Sequence, residues 1–456
     1  MQQATTTQGS VKLVTEVPGP KSRALVERSA AALPQCMSLH LPLFVDHCEG
    51  ALLTDVDGNT FIDWAGGVGC LNVGHVNPRV RDAIVAQVEK FTHTDYTVLP
   101  YETYVRLAER LNELAPISGK VKTAFFNTGA EAVENSIKIA KAATGRAGVI
   151  CFDGAFHGRS LMAMSLTSKV HPYKAGFGPF ASEVYRAPYA NSMDFGGDAE
   201  AASEHALMAL RRMFKTHVAA ETVAALIVEP VQGEGGFLVP AKSFLAGLRD
   251  ICSEHGIVLI FDEVQSGMGR CGTLFATEQF GIEPDLLLSA KSIAMGMPLS
   301  AVIGKAAIMD MVPDSGIGGT YPGNPVAIEA AHAVLDEFAD GLLEQSDKLG
   351  KMLARLLDEI AASDDGIADS RGLGPMRALE FRSAATGKPD SARVSRIIEE
   401  AAQRGLILLK AGINGEVVRV LVPLVITDAQ VDESIAILRE AITASALFSH
   451  PAGSGD

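Results

Sequence analysis

Two apolar runs in this sequence end in side chains that could take part in chemistry. The stretch LIFDEVQSGMGR, residues 259–270, finishes its first run in Asp262 and Glu263, and Gln265 follows closely. A later run, LLLSA, leads directly into Lys291, which small and apolar residues flank on both sides. Burial lowers the pKa of a lysine and frees its neutral amine to form a Schiff base. The acid could hold a nucleotide-bound magnesium ion, activate water or face a cationic cofactor.

Other motifs in the sequence discriminate among these three chemistries. No GxxxxGK[ST] phosphate loop is present, and no GxGxxG fingerprint follows a strand at the right place. The six cysteines form no CxxC pair, so we expect neither a zinc ribbon nor an iron–sulfur cluster, and no metal site. These absences argue against an acid that holds magnesium and against an acid that activates water. They favour an acid that faces a cationic cofactor.

Thr128 and Glu131 have the T-x-x-E spacing of a capping box, which predicts that a helix begins at this point. An ordinary helix start is one interpretation. The other is that Gly129 lets backbone N–H groups approach a phosphate at the helix N-terminus. Together with the acid and the lysine, such a helix start would provide what pyridoxal phosphate requires.

The elements that must position these residues alternate in type between about residue 80 and residue 340. Amphipathic segments separate six strand candidates: KTAFF, GVICF, AALIVEP, IVLIFDE, LLLSA and SAVIG. This alternation predicts a mostly parallel sheet covered by helices on both faces, which binds its ligands at the carboxyl ends of the strands. We expect residues 191–205, which are polar and contain glycine, to form a surface loop.

Three regions are predicted from the pattern. Residues 78–340 form a large cofactor-binding α/β domain. Residues 1–77 form an N-terminal arm, expected to be flexible over its first 20 residues, and part of a small α+β domain. Residues 341–456 complete that small domain. Within residues 1–77, Asp57-Gly58-Asn59 supplies the turn of a hairpin.

The composition limits the classes of partner. The chain of 456 residues has 39 basic and 54 acidic side chains, and its net charge of −15 argues against nucleic acid or an anionic membrane as the main partner. The longest apolar runs fall far short of the roughly 20 residues that span a bilayer. With no secretory signal apparent, we expect reduced thiols and a cytoplasmic location.

Six motifs taken together resemble one known family. They are NTGAEAVENSIKIAKAATGR, FHGR, VEPVQGEGG, FDEVQSGMGR, AKSIAMGMPLSAV and GGTYPGNP. In this order they are similar to the class III (subgroup II) pyridoxal-phosphate aminotransferases, and most similar to the bacterial 4-aminobutyrate branch. The resemblance covers nearly the whole chain. It implies pyridoxal 5'-phosphate as cofactor, an α/β fold of fold type I, and a homodimer with shared active sites, with a tetramer as the alternative.

The resemblance implies roles for the residues around the cofactor. Lys291 would bind it covalently and shuttle the proton at the substrate carbon, while Asp262 would pair with the pyridinium nitrogen. Gln265 would hydrogen-bond the phenolic oxygen. The remaining candidates are Gly129 and Ala130 for the phosphate, Thr320 from the other subunit for the same phosphate, Phe156 for stacking on the ring, and His157, for which packing is the favoured role.

The resemblance also implies a substrate pocket. Arg159 would bind the carboxylate remote from the reacting carbon, and Arg419 would bind the α-carboxylate of glutamate. Glu234 would neutralise Arg419 when 4-aminobutyrate leaves that place empty. Val68 would line the pocket beside the carbon chain. The alternatives are a rim charge for Arg419 and a loop acid for Glu234.

The implied reaction is ping-pong transfer of an amino group from 4-aminobutyrate to 2-oxoglutarate. Rival donors are 5-aminovalerate, β-alanine and acetylornithine, and rival activities are those of a lyase or an aminomutase with the same cofactor. A non-enzymatic ligand-binding protein is disfavoured by the presence of both Lys291 and Asp262. The sequence departs from the common pattern at Phe156 (often tyrosine), at Met295 (usually glycine) and in KAGINGE, residues 410–416, which affects the alignment of Arg419.

Overall fold

The computed structural model describes residues 9–446 and contains three β-sheets surrounded by helices. Its strands are β1 Val45–Glu49, β2 Leu52–Asp55, β3 Thr60–Asp63, β4 Val121–Phe126, β5 Gly148–Phe152, β6 Val184–Ala187, β7 Val223–Val228, β8 Val258–Asp262, β9 Leu286–Ser289, β10 Ser300–Lys305, β11 Ile367–Leu373, β12 Met376–Phe381, β13 Leu406–Ile407, β14 Leu409–Ala411 and β15 Val417–Val420. Its α-helices are α1 Pro20–Ala32, α2 Gly66–Gly69, α3 Pro78–Val88, α4 Glu102–Leu114, α5 Gly129–Thr144, α6 Leu161–Leu166, α7 Ala199–Thr216, α8 Lys242–His255, α9 Thr277–Phe280, α10 Ala306–Met309, α11 Pro325–Glu337, α12 Leu343–Ala361, α13 Ser391–Gln403 and α14 Asp428–Ala446.

The largest sheet has the strand order β4-β10-β9-β8-β7-β5-β6. Strands β9, β8, β7, β5 and β6 pair in parallel, whereas β10 is antiparallel to both β4 and β9. All six predicted strands belong to this sheet. Its seventh strand, β6, was not predicted. The carboxyl ends of β4, β8 and β9 therefore lie at one edge.

Helices cover both faces of this sheet because central strands such as β7, VAALIV, are apolar and buried at every position. Along β7, Leu226 and Val228 pack with α7 and α8, while Ala225 and Ile227 pack with α5 on the opposite face. Successive side chains of a strand point to opposite faces, so a continuous apolar run needs cover on both sides. The expected helix-covered sheet is thus present.

The two smaller sheets join distant parts of the chain. One has the order β1-β2-β3-β13, in which β13 pairs in parallel with β3 although more than three hundred residues separate them. The other has the order β11-β12-β15-β14 and carries Arg419 on β15. The proposed boundaries at residues 78 and 340 enclose all seven strands of the large sheet.

Two local predictions were wrong. Residues 191–205 are not a loop throughout, because α7 begins at Ala199 and the Asp198 side chain accepts hydrogen bonds from the N–H groups of Glu200 and Ala201. The buried face of this helix starts with small residues such as Ala202 and Ala206, which gave little hydrophobic signal.

The second error concerns the N-terminal arm, which is not flexible over its whole expected length. The backbone N–H groups of Ser10 and Val11 donate to Glu433, and Lys12 pairs with Thr60. Residues 1–8 of the expected arm lie outside the described residues. The anchored part of the arm is therefore tied to both α14 and β3.

Three further properties concern the described range. Between residues 9 and 446, no helix combines the length and the apolar character needed to cross a membrane. The six cysteines, all of them described, are free thiols. Over the same range no group of three or more metal-ligating side chains could hold a metal ion.

Candidate active site

The carboxylate of Asp262 is held at the end of β8 by two donors. Its Oδ2 lies 2.7 Å from Nδ1 of His157, and its Oδ1 accepts a hydrogen bond of 3.0 Å from the N–H of Val264. Both Asp262 and His157 are buried. Such a carboxylate is fixed in direction and shielded from water, which suits it to face a cation.

Its neighbour Glu263 has a different environment. The Glu263 carboxylate accepts hydrogen bonds from the N–H groups of Ala276 (2.5 Å) and Thr277 (2.8 Å), next to the start of α9. Burial raises the pKa of Glu263 to about 8. Because Glu263 is occupied with the backbone and does not line the cavity that Asp262 lines, its role is structural.

Lys291 lies two residues after the end of β9 and has an unusual backbone conformation. Its φ is 49°, and that of Met295, at the end of the same short turn, is 50°. Side chains rarely adopt this left-handed region, so the backbone at Met295 would suit glycine better. Burial lowers the pKa of the Lys291 amine, so its neutral, nucleophilic form is more accessible than in an exposed lysine.

The start of α5 forms a third wall of the site. The Thr128 hydroxyl accepts a hydrogen bond from the N–H of Glu131 (3.2 Å), and the Glu131 carboxylate accepts one from the N–H of Asn127 (2.6 Å). The predicted cap is present, with its return bond one residue earlier than in the usual motif. A Cβ on Gly129 would lie 2.9 Å from Cγ1 of Val264, so this close approach requires glycine.

These groups surround one cavity of about 660 Å³. All the predicted site residues except Thr320 line it: Val68, Gly129, Ala130, Phe156, His157, Arg159, Glu234, Asp262, Gln265, Lys291 and Arg419. Thr320 is exposed on a loop and does not line the cavity of its own chain.

Glu229 lines the cavity as well, although no role was predicted for it from the sequence. One of its carboxylate oxygens accepts a hydrogen bond from the N–H of Phe156, and the other from the N–H of Gly233, each at 2.9 Å. Burial raises the pKa of Glu229 above its ordinary value. It joins the segment of Phe156 to the segment that precedes Glu234. Glu229 follows the apolar strand β7, and this position was the sequence signal that could have identified it.

The ion pair between Glu234 and Arg419 links the two sides of the cavity. Nη1 of Arg419 lies 3.1 Å from Oε2 of Glu234, and Arg419 is 7% exposed. The N–H of Gly412, in KAGINGE, donates to the carbonyl oxygen of Glu234 at 3.0 Å. The unusual hairpin therefore still carries Arg419 into the cavity, so Arg419 is not a rim charge.

Arg159 and Val68 lie in more open positions. Arg159 is exposed, and its guanidinium carbon lies 4.9 Å from the centroid of the Tyr173 ring. Val68 is 45% exposed and has a φ of 66°. A β-branched residue in this conformation is strained, which is a feature that clusters at functional sites.

The residues present fit pyridoxal 5'-phosphate. The buried carboxylate of Asp262 suits the pyridinium nitrogen, and the depressed pKa of Lys291 suits reaction with the cofactor carbonyl. The N-terminus of α5, kept open by Gly129, suits the phosphate. The cavity volume is in the range of roughly 300–1,000 Å³ typical of small-molecule sites.

Comparison with known proteins gives consistent matches. Residues 35–442 match the family described as class-III aminotransferases. The chain is 45% identical over 438 residues to the 4-aminobutyrate aminotransferase of Mycobacterium tuberculosis, covering 94% of this chain and 98% of that protein. It is 45% identical over 420 residues to the 5-aminovalerate aminotransferase of Pseudomonas putida, covering 92% and 98%. The solved structure of a pyridoxal-phosphate-bound amine transaminase from an uncultivated Pseudomonas species has a TM-score of 0.83 and 29% identity, covering 91% and 97%.

Proposed function

This chain belongs to the class-III aminotransferase family, and from that membership we propose that it transfers the amino group of 4-aminobutyrate to 2-oxoglutarate. The protein is a pyridoxal-phosphate-dependent transaminase of fold type I. In the first half-reaction 4-aminobutyrate gives up its amino group and leaves as succinate semialdehyde. In the second half-reaction 2-oxoglutarate takes up that group and leaves as L-glutamate.

The positions of three side chains in the cavity support the proposed roles at the reacting centre. When bound, pyridoxal phosphate supplies a carbonyl group for amines and a ring that withdraws electrons. Lys291 would hold the cofactor through that carbonyl carbon and, once the substrate amine had replaced it there, would move the proton at the substrate carbon as a free amine. Asp262 holds the pyridinium nitrogen protonated, and Gln265 donates to the phenolic oxygen.

Four further residues position the cofactor in this proposal. The backbone N–H groups of Gly129 and Ala130 bind the phosphate at the start of α5. Phe156 packs on the ring, and its lack of the usual tyrosine hydroxyl leaves that apolar contact intact. His157 acts through Asp262, because its Nδ1 donates to that carboxylate.

The Glu234–Arg419 pair is the observation that carries the choice of substrates. A transaminase must accept an ω-amino acid with one carboxylate and a dicarboxylic acid in the same pocket. Arg159 binds the carboxylate remote from the reacting carbon, and Arg419 binds the second carboxylate of glutamate or 2-oxoglutarate. With 4-aminobutyrate, Glu234 neutralises Arg419, whose unpaired charge would be expensive in a buried site.

A second donor, 5-aminovalerate, is supported by the 45% identity to the aminotransferase named for it. It has the same terminal amine and single carboxylate, separated by one more methylene group. Val68 lines the cavity with an apolar surface that suits either carbon chain. The two donors therefore differ only in the length of the carbon chain, and the pocket would have to discriminate between them by that length.

The proposal extends to assembly and location. Tyr101 donates through its hydroxyl to the carbonyl oxygen of Gly323, so the segment with exposed Val98 and Leu99 adjoins the loop of Thr320 and Tyr321. Exposed apolar surface of this kind supports a homodimer in which Thr320 reaches the partner's phosphate site, with a tetramer as the alternative. The acidic net charge and free thiols support a cytoplasmic location.

A panel of single amino donors tests the proposed reaction. Each donor is mixed with the purified enzyme, and the change in cofactor absorption gives the rate of the first half-reaction. We expect 4-aminobutyrate to react fastest, with 5-aminovalerate next, and Lys291→Ala to show no conversion. A faster reaction with acetylornithine would overturn the assigned donor. Sedimentation of the wild type and of Leu99→Asp tests the dimer separately.

A further inference from the structure

Tyr173 lies between the charged residues that would bind the two substrate carboxylates. It belongs to the segment between α6 and β6 and lines the cavity. Its hydroxyl donates a hydrogen bond of 3.1 Å to Oε1 of Glu234. Its ring lies beneath the guanidinium group of Arg159, 4.9 Å from the guanidinium carbon to the ring centroid. A single side chain thus touches both carboxylate-handling groups.

The Glu234 carboxylate is divided between two partners. Its Oε2 accepts from Nη1 of Arg419 at 3.1 Å, and its Oε1 accepts from the Tyr173 hydroxyl at the same distance. Burial, and then the negative charge of Glu234, raises the pKa of Tyr173 to about 12, so the hydroxyl remains a donor at neutral pH. The hydrogen bond of Tyr173 therefore exists while Glu234 neutralises Arg419.

The aromatic ring of Tyr173 is itself held in place. It makes an edge-to-face contact with Phe156, with the ring centroids 5.0 Å apart and the planes inclined by 62°. The guanidinium of Arg159 over its face adds a cation–π attraction. The direction of the hydroxyl towards Glu234 is consequently set by contacts on the ring.

We propose that Tyr173 is a specificity-determining positioning residue that stabilises the Glu234–Arg419 pair and so favours donors with one carboxylate over dicarboxylic substrates. The inference rests on the proposed function. A dicarboxylate must displace Glu234 from Arg419, whereas an ω-amino acid needs the pair intact. Any group that stabilises the pair therefore helps the first kind of substrate and hinders the second.

The variant Tyr173→Phe removes the hydroxyl and keeps the ring under Arg159. We expect kcat/KM of the 4-aminobutyrate half-reaction to fall about tenfold, as for loss of one hydrogen bond to a charged group. The glutamate half-reaction should stay within about twofold of the wild type or improve. Glutarate, a dicarboxylate that cannot react, should compete more tightly. A purely structural role would weaken all three.

Two controls separate the hydroxyl's effect from general damage. Tyr185→Phe removes another tyrosine hydroxyl that donates to a glutamate, Glu183 at 2.7 Å, on the edge strand β6, and it should leave both half-reactions unchanged. In a Glu234→Ala background, Tyr173→Phe should have no further effect on the ratio of the half-reactions, because the acceptor is gone.

The outcomes distinguish this inference from the proposed function. If the wild type reacts with glutamate but with no ω-amino acid, the donor assignment is overturned. If the wild type uses 4-aminobutyrate and Tyr173→Phe leaves the ratio of the half-reactions and glutarate inhibition unchanged, only the role of Tyr173 is overturned. Equal losses in both half-reactions would overturn it as well.

Discussion

Nδ1 of His157 and Oδ2 of Asp262 lie 2.7 Å apart, and both side chains are buried. Among the described residues, Nε2 of the same histidine has no hydrogen-bond partner, so the bond to Asp262 is the one polar contact of the ring. Together with the N–H of Val264, it orients the carboxylate. The packing role that was favoured for His157 is therefore a specific one. His157 orients Asp262, the acid that would face the cofactor nitrogen.

His157→Phe should weaken cofactor binding about 10- to 100-fold, because the buried carboxylate loses a hydrogen bond worth ~1–3 kcal/mol. Titration of the apoprotein with pyridoxal phosphate, followed by absorbance, measures the dissociation constant. His75→Phe is the matched control. It breaks the His75–Asp63 pair, 2.8 Å long and outside the cavity, and should lower stability without changing cofactor affinity. Similar losses of affinity in both variants would contradict the orienting role.

Asp262→Asn should retain the shape of the site and lower kcat by roughly two to three orders of magnitude. Removing one partner of a buried ion pair costs ~3–5 kcal/mol, and each 1.36 kcal/mol is about a tenfold change in rate. Single-turnover rates with 4-aminobutyrate provide the measurement. The neighbouring variant Glu263→Gln should keep most of its turnover. A comparable loss in that variant would show that both acids serve the reaction.

Glu263 should make stability depend on pH. Its folded-state pKa is raised from 4.5 to about 8, so its contribution to stability is fully present below the lower value and is lost as pH rises through the higher one. Glu263→Gln cannot titrate. The melting temperature of the wild type should therefore fall, relative to that of the variant, between about pH 5 and about pH 9. A constant difference would mean that the N–H donors of Ala276 and Thr277 keep the carboxylate ionised in the folded state.

Glu234→Ala should separate the two half-reactions. Without the carboxylate, Arg419 carries an uncompensated charge when 4-aminobutyrate binds, so kcat/KM of that half-reaction should fall by at least about 100-fold, as expected for a buried pair. The glutamate half-reaction, in which a substrate carboxylate pairs with Arg419, should lose less than about tenfold. Stopped-flow traces with each substrate alone test this difference. Equal losses would rule out a switching role for Glu234.

Much of the reacting centre was predictable because its residues stand where local patterns end. Asp262 ends the continuous apolar strand β8, Lys291 follows β9, and Gly129 opens a helix with a recognisable cap. Strand periodicity and capping depend on neighbours in sequence, so these positions could be assigned without knowing the packing. The resemblance to a known family supplied the roles of Arg159, Glu234 and Arg419, which local patterns left undecided.

Only the tertiary structure decided which of these residues meet, and what else meets them. Glu234 and Arg419 are 185 residues apart and come together because the β14–β15 hairpin contacts the segment after β7 through the N–H of Gly412. Tyr173 lies in a segment with no regular periodicity, so its contacts with Arg159 and Glu234 had no local signal. The placement of β10 between β4 and β9, and the helix hidden in residues 199–205, likewise depend on burial against distant elements, which composition along the chain does not encode.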